Sequence, residues 1–153
     1  MKSVVLFIIK DNDNNRVLLS KSLKTNGFNS DKFYLPGGHI EDNEFSSITV
    51  ERELKEELDL SPIDYTKSFV ALMEIIGKEE HIHNYKGYNV SVLNSNHGDL
   101  CYVFIYKVVL EKNYNMIISE EISEIKWIDI NDIKDSDLVS HFTSSFKNLI
   151  IKC

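Results

Sequence analysis

The order of apolar runs predicts a layered α/β domain. Two strand-like runs, residues 4–9 (VVLFII) and 16–20 (RVLLS), stand ahead of any helical pattern. A long amphipathic pattern follows, with Val50, Leu54 and Leu58 at i, i+4 and i+8. Further strand-like runs come next, and Val139, Phe142, Phe146 and Leu149 close the chain at helical spacing. Strands, a helix, more strands and a last helix suit helices laid on a sheet.

Residues 4–9 are apolar without a break, mostly β-branched and aromatic, as in a strand buried on both faces. The DNDNN cluster at 11–15 is a turn, so the first two runs are expected to form a hairpin. Residues 21–32 read as a polar loop around Gly27. Its Lys21, Lys24 and Lys32 are either phosphate contacts or solvated loop lysines. Residues 33–35 form a short strand stopped by Pro36, and Gly37-Gly38 makes a turn that lets backbone approach a ligand closely.

The helix is expected from residue 45 or 46 to 58, ended by Ser61-Pro62. Residues 69–76 (FVALMEII) are a strand. Residues 77–99 are polar and irregular, with a short strand at 90–92. Their His81, His83, Tyr85, Tyr88 and His97 are the candidates for base or sugar recognition, because aromatics stack on bases. A histidine zinc site is the weaker alternative, since no cysteine or zincin pattern accompanies the His-x-His. Residues 100–110 read as the longest and central strand, and 125–130 as another, preceded by Glu120, Glu121 and Glu124. Residues 129–137 are acidic and turn-like, and the aromatics of the closing helix read as core.

A chain of 153 residues fits one domain, here residues 1–153. A net charge of −7 argues against a surface that tracks long nucleic acid. A small anionic substrate remains compatible, because a bound cation inverts the local field. Cys101 in an apolar run and Cys153 at the last position suggest no disulfide framework, which favours a reducing cytoplasm. The apolar run at the start is six residues long and meets DNDNN at once, so it is read as a strand rather than a signal segment. No run approaches the length of a membrane span.

The chemistry concentrates in residues 37–60, GGHIEDNEFSSITVERELKEELDL. At 3.6 residues per turn, Glu53, Glu56 and Glu57 share one arc beside the apolar stripe. Clustered carboxylates repel, and a hard divalent cation reverses that cost; oxygen ligands with room for water suit magnesium or manganese. A solvated acidic face is the plainer account of such a run. The spacing is more specific. From Gly38, five residues lead to Glu44 and seven more to Arg52-Glu53-Leu54; Lys55, then Glu56-Glu57, Leu58, Asp59 and Leu60 complete it. This resembles the signature of the Nudix (MutT-like) hydrolases at every fixed position but one: Asp59 stands where the family has a helix-ending glycine. Aspartate reaches the left-handed region more readily than most residues, so the change bears on helix termination more than on metal chemistry.

The resemblance covers about 23 residues. It implies an α/β/α sandwich with a central mixed β-sheet. It further implies metal binding by the Gly38 carbonyl, Glu53, Glu56 and Glu57, with Glu120 or Glu121 as a later loop ligand or general base. Glu44 and Arg52 would brace the loop and helix. Glu53 and Glu56 are the catalytic candidates. The implied reaction is metal-dependent hydrolysis of a nucleoside diphosphate linked to another moiety, water attacking phosphorus. A nucleotide-sensing module without turnover is the alternative. An isomerase on this fold would need a catalytic cysteine, for which Cys101 and Cys153 are poorly placed. The partner expected is a small nucleotide-type diphosphate, with no long nucleic acid and no membrane; homodimers are common in the family.

Overall fold

The strand β1 (Lys2–Lys10) is buried on both faces, and the layering follows from it. Val5, Phe7 and Ile9 point to one side, Leu6 and Ile8 to the other. The computed structural model describes residues 2–22, 32–76, 79–83, 100–114, 118–120 and 122–153. After β1 come β2 (Arg16–Ser22), β3 (Gly37–His39), α1 (Ser46–Leu58), β4 (Tyr65–Ile76), β5 (Glu79–His83), β6 (Leu100–Leu110), β7 (Ile122–Asp129) and α2 (Ser144–Lys152). The sheet runs β5-β4-β6-β1-β2-β7, with β3 also on β1. It is mixed: β1 and β6 are parallel, and the other pairs are antiparallel.

Each helix covers one face. On one side Val50, Leu54 and Leu58 of α1 pack against Val5, Phe7, Ile9, Leu18 and Val108. On the other, Phe146 and Ile150 of α2 join Leu6, Ile8, Val17 and Leu19. The three α1 stripe residues are at most 1% exposed, and burying each stabilises the fold by about 1.5–3 kcal/mol. The expected α/β/α sandwich with a mixed sheet is the observed fold.

The departures from expectation are local. β1 and β2 pair at their near ends, Lys10 with Val17, and then diverge. The 34–39 segment enters the gap: Tyr34 bridges Ser20, the Phe7 N–H donates to the Pro36 carbonyl at 2.8 Å, and Gly37–His39 pairs with Val4 to Leu6. The expected strand at 33–35 is therefore a single bridge, and the glycines expected in a turn are strand residues. β4 starts at Tyr65 and, at 12 residues, exceeds the 11 of β6, which is nevertheless central. His81 and His83 lie in β5 rather than in an irregular loop, paired to β4. Glu124 lies within β7, opposite Lys21. Val139 and Phe142 belong to a 3-10 turn and the residues after it, because Thr143 caps α2 by accepting from the Phe146 N–H at 3.2 Å. Lys24, Tyr85, Tyr88, His97 and the strand expected at 90–92 lie outside the described residues.

Lys10 is a buried cation that sequence reading had assigned no role. Its Nζ donates to the Cys153 backbone oxygen at 2.9 Å, as does Lys107 at 3.0 Å, and burial lowers its pKa. Among the described residues neither Cys101 nor Cys153 takes part in a disulfide. Among the described residues no helix is long and apolar enough to cross a membrane.

Candidate active site

The two glycines are required by what lies over them. A Cβ on Gly37 would run into the Val5 carbonyl, and one on Gly38 into the Glu53 carboxylate. Pairing with β1 pins this backbone, and α1 lowers Glu53 onto it. Glu53 is 8% exposed, the side chain of Glu56 is 59% exposed, and Glu57 is half-buried. One helical face thus grades from a covered carboxylate to a solvent-facing one.

Arg52 ties this face to the preceding loop. Its Nε and Nη2 donate to the two oxygens of Glu44, both at 2.9 Å. Nη2 also donates to the His39 carbonyl at 2.9 Å. Nη1 donates to Glu53 Oε1 at 2.9 Å and to Glu56 Oε2 at 3.2 Å, with Glu41 Oε1 at 3.7 Å. Thr49 Oγ1 donates to Glu44 Oε1 at 2.6 Å. The Arg52 and Thr49 hydrogen bonds pull the Glu44 pKa down to about 2. The hydrogen bond to Glu44 raises that of Arg52 in turn, so the pair is ionised at any ordinary pH.

The helix ends differ from the usual chemistry. Phe45 occupies the N-cap position without a side-chain cap bond. At the other end Asp59 takes φ 54° and ψ 37°, the left-handed conformation. The Asp59 N–H reaches the Lys55 carbonyl and the Leu60 N–H the Leu54 carbonyl, both at 3.1 Å. Lys55 Nζ meets Asp59 Oδ1 at 2.8 Å. Aspartate therefore closes the helix in the left-handed conformation usually taken by glycine, with one surface ion pair added.

The loop before β7 reaches the same helix. The Ser119 N–H donates to the Glu57 backbone oxygen at 3.0 Å, and Ser119 Oγ to the Glu57 carboxylate at 3.4 Å. Glu120 follows, exposed, in a turn one residue on; Glu121 lies outside the described residues. Thr49, Ser119 and the His39 carbonyl were not foreseen. Thr49 stands five residues after Glu44 on the helix face, a signal that could have been read; the other two depend on tertiary approach.

The donor set fits a hard cation in kind: several carboxylates on one arc, with glycine backbone against the most buried of them. Among the described residues no three acidic, imidazole or thiol groups converge on one point. Glu53 and Glu56 instead meet on Arg52 Nη1, and the exposed Glu56 has freedom to turn away from it. His81 and His83 belong to another neighbourhood, near Glu79 at 3.6 Å and Glu74 at 3.7 Å. A cavity of about 480 Å³ between α2 and the β4–β5 edge contains none of the residues of the glutamate helix.

A family model described as NUDIX domain matches residues 1–147. No curated protein matched the chain. Among solved structures, the E. coli dihydroneopterin triphosphate pyrophosphohydrolase aligns with TM-score 0.66 at 16% identity, over 97% of this chain and 91% of that one. A C. elegans Ap4A hydrolase binary complex aligns with TM-score 0.65 at 16% identity, over 98% and 93%. The MutT protein of Methanosarcina mazei Go1 aligns with TM-score 0.67 at 15% identity, over 97% and 89%.

Proposed function

The chain belongs to the Nudix family, and from this premise we propose that it is a pyrophosphohydrolase acting on phosphoric anhydride bonds, one that hydrolyses a nucleoside diphosphate linked to another group in a magnesium- or manganese-dependent reaction. The observation that carries the proposal is the placement of the Glu53 carboxylate against the Gly38 backbone, sharing one guanidinium nitrogen with Glu56. The printed substrates of two structural neighbours, a dihydroneopterin triphosphate and Ap4A, support a small nucleotide-type substrate.

Glu53, Glu56 and Glu57 would hold the cation with the Gly38 carbonyl, and Glu120 or Glu121, in the loop whose Ser119 contacts Glu57, would add a further ligand. When bound, the cation would neutralise diphosphate oxygens and lower the pKa of the attacking water. Phosphoryl transfer asks a protein chiefly for positioning and charge compensation. Arg52 supplies the positioning: anchored on Glu44 and His39, it donates to Glu53 Oε1 while Glu56 stays reachable from solvent. Glu53, oriented and covered, is our choice of general base, with Glu56 the second candidate. We further place the activity in the cytoplasm, on a chain able to form homodimers.

The test is a panel of nucleoside triphosphates, nucleotide sugars, ADP-ribose and dinucleoside polyphosphates incubated with Mg²⁺ or Mn²⁺, products identified. Cleavage at a P–O–P bridge is expected, and Glu56→Gln or Glu57→Gln should lower kcat by at least about a hundredfold with an unchanged circular dichroism spectrum. Near-normal turnover in both variants removes the helix from the mechanism. No cleavage of any substrate in the panel leaves the sensing-module alternative.

A further inference from the structure

Across β2 and β7 the register sets Leu19 opposite Lys126, and Lys21 opposite Glu124. Leu19 and Ile128 belong to the core beneath α2, so the alternating positions Lys21 and Lys126 face that same side. Their Nζ atoms lie 5.9 Å and 5.3 Å from the centroid of one ring, that of the buried Phe33. Lys32, exposed, immediately precedes that ring. Among the described residues neither Lys21 nor Lys126 makes an ion pair with a carboxylate, although Glu124 is the register partner of Lys21.

In a chain of net charge −7, two ammonium groups set against one ring need a reason. An aromatic face holds an ammonium without cancelling its charge, so that charge stays available to an anion. The corner also shares its segment with the candidate active site. Phe33 and Gly38 are five residues apart, at most roughly 17 Å even fully extended. Bridging of Tyr34 to Ser20 and pairing of Gly38 with Val5 put both at the place where β1 and β2 diverge.

We propose that Lys21 and Lys126, seated on Phe33, bind a phosphate group of the substrate other than the pair whose bridge is cleaved, and so favour substrates with three or more linked phosphates. The lysines face the α2 side and Glu53 the α1 side, so a ligand serving both places would have to pass around residues 36–38. The proposal rests on the hydrolase reading only for what the anion is attached to, and its first test is independent of turnover.

That test is calorimetric titration of the whole protein with inorganic tripolyphosphate in EDTA. Wild type should bind, and Lys21→Gln/Lys126→Gln should bind roughly tenfold more weakly. Lys21→Arg/Lys126→Arg should restore binding, and Glu53→Gln should retain it. Absent wild-type binding, or equal binding by wild type and the Gln pair, overturns the proposal even if hydrolysis is found. Kinetics give the second test. The Gln pair should raise KM several-fold for a nucleoside triphosphate, with kcat within twofold, and leave KM for a nucleoside diphosphate sugar unchanged. A lower melting temperature with both KM values unchanged would mean that the lysines serve stability alone, and the assignment fails.

Discussion

Glu44 and Arg52 settle a question of rank at the scale of single residues. Three carboxylates make hydrogen bonds with one guanidinium, and Glu44 takes the two-point contact while Glu53 and Glu56 share the third nitrogen. The two-point contact is the stronger geometry, so Glu44 fixes Arg52 and Arg52 then orients Glu53. The folded-state pKa of Glu44 is depressed, so its contribution is complete above the ordinary value near 4.5 and disappears as pH falls toward about 2. Thermal melts of wild type and Glu44→Gln should therefore differ fully at pH 7 and converge across that acid window. A gap that stays constant with pH would detach the effect from ionisation. Gly38→Ala tests the neighbouring contact. The added methyl must displace the Glu53 carboxylate, and misplacement by about 1 Å costs roughly a hundredfold in rate. The variant should lose kcat while keeping its fold.

At the scale of elements, α1 was legible nearly to the residue, because an i, i+4, i+8 stripe beside an acidic arc has one helical solution and Ser61-Pro62 forbids extension. Its ending in Asp59 carries a cost. A non-glycine residue in the left-handed region gives up about 1–2 kcal/mol, and the exposed pair with Lys55 returns little of it. Asp59→Gly should accordingly raise stability in chemical denaturation by about 1 kcal/mol. β3 was not legible: Gly-Gly has low strand propensity, and only the gap between β1 and β2 makes it a strand. α2 was legible as core but not in its start, because a 3-10 turn placed Val139 and Phe142 on the same apolar face before Thr143 began the helix. The glutamates could be grouped from spacing alone; their sharing of Arg52 could not, since it depends on rotamers.

At the scale of the whole molecule, the sheet carries two layers and the candidate site lies where one of them meets the sheet's opening. Ligands that bind the folded form alone raise its stability, by about 2.7 kcal/mol at a hundredfold excess over Kd. Magnesium or manganese should thus raise the melting temperature of wild type in a concentration-dependent way, and Glu53→Gln/Glu56→Gln should flatten that response. An identical rise in both proteins would place the cation elsewhere.

The glycine pair is held by a ladder to β1, and Arg52 is anchored from two sides, while Glu56 is the solvent-facing member of the set. Arming this centre would then ask little of the main chain: one carboxylate swings, on the picosecond-to-nanosecond scale of exposed rotamers rather than the slower scale of a closing lid. Stopped-flow traces of Mn²⁺ uptake would then be bounded by diffusion and ion dehydration, with no slow protein phase behind them.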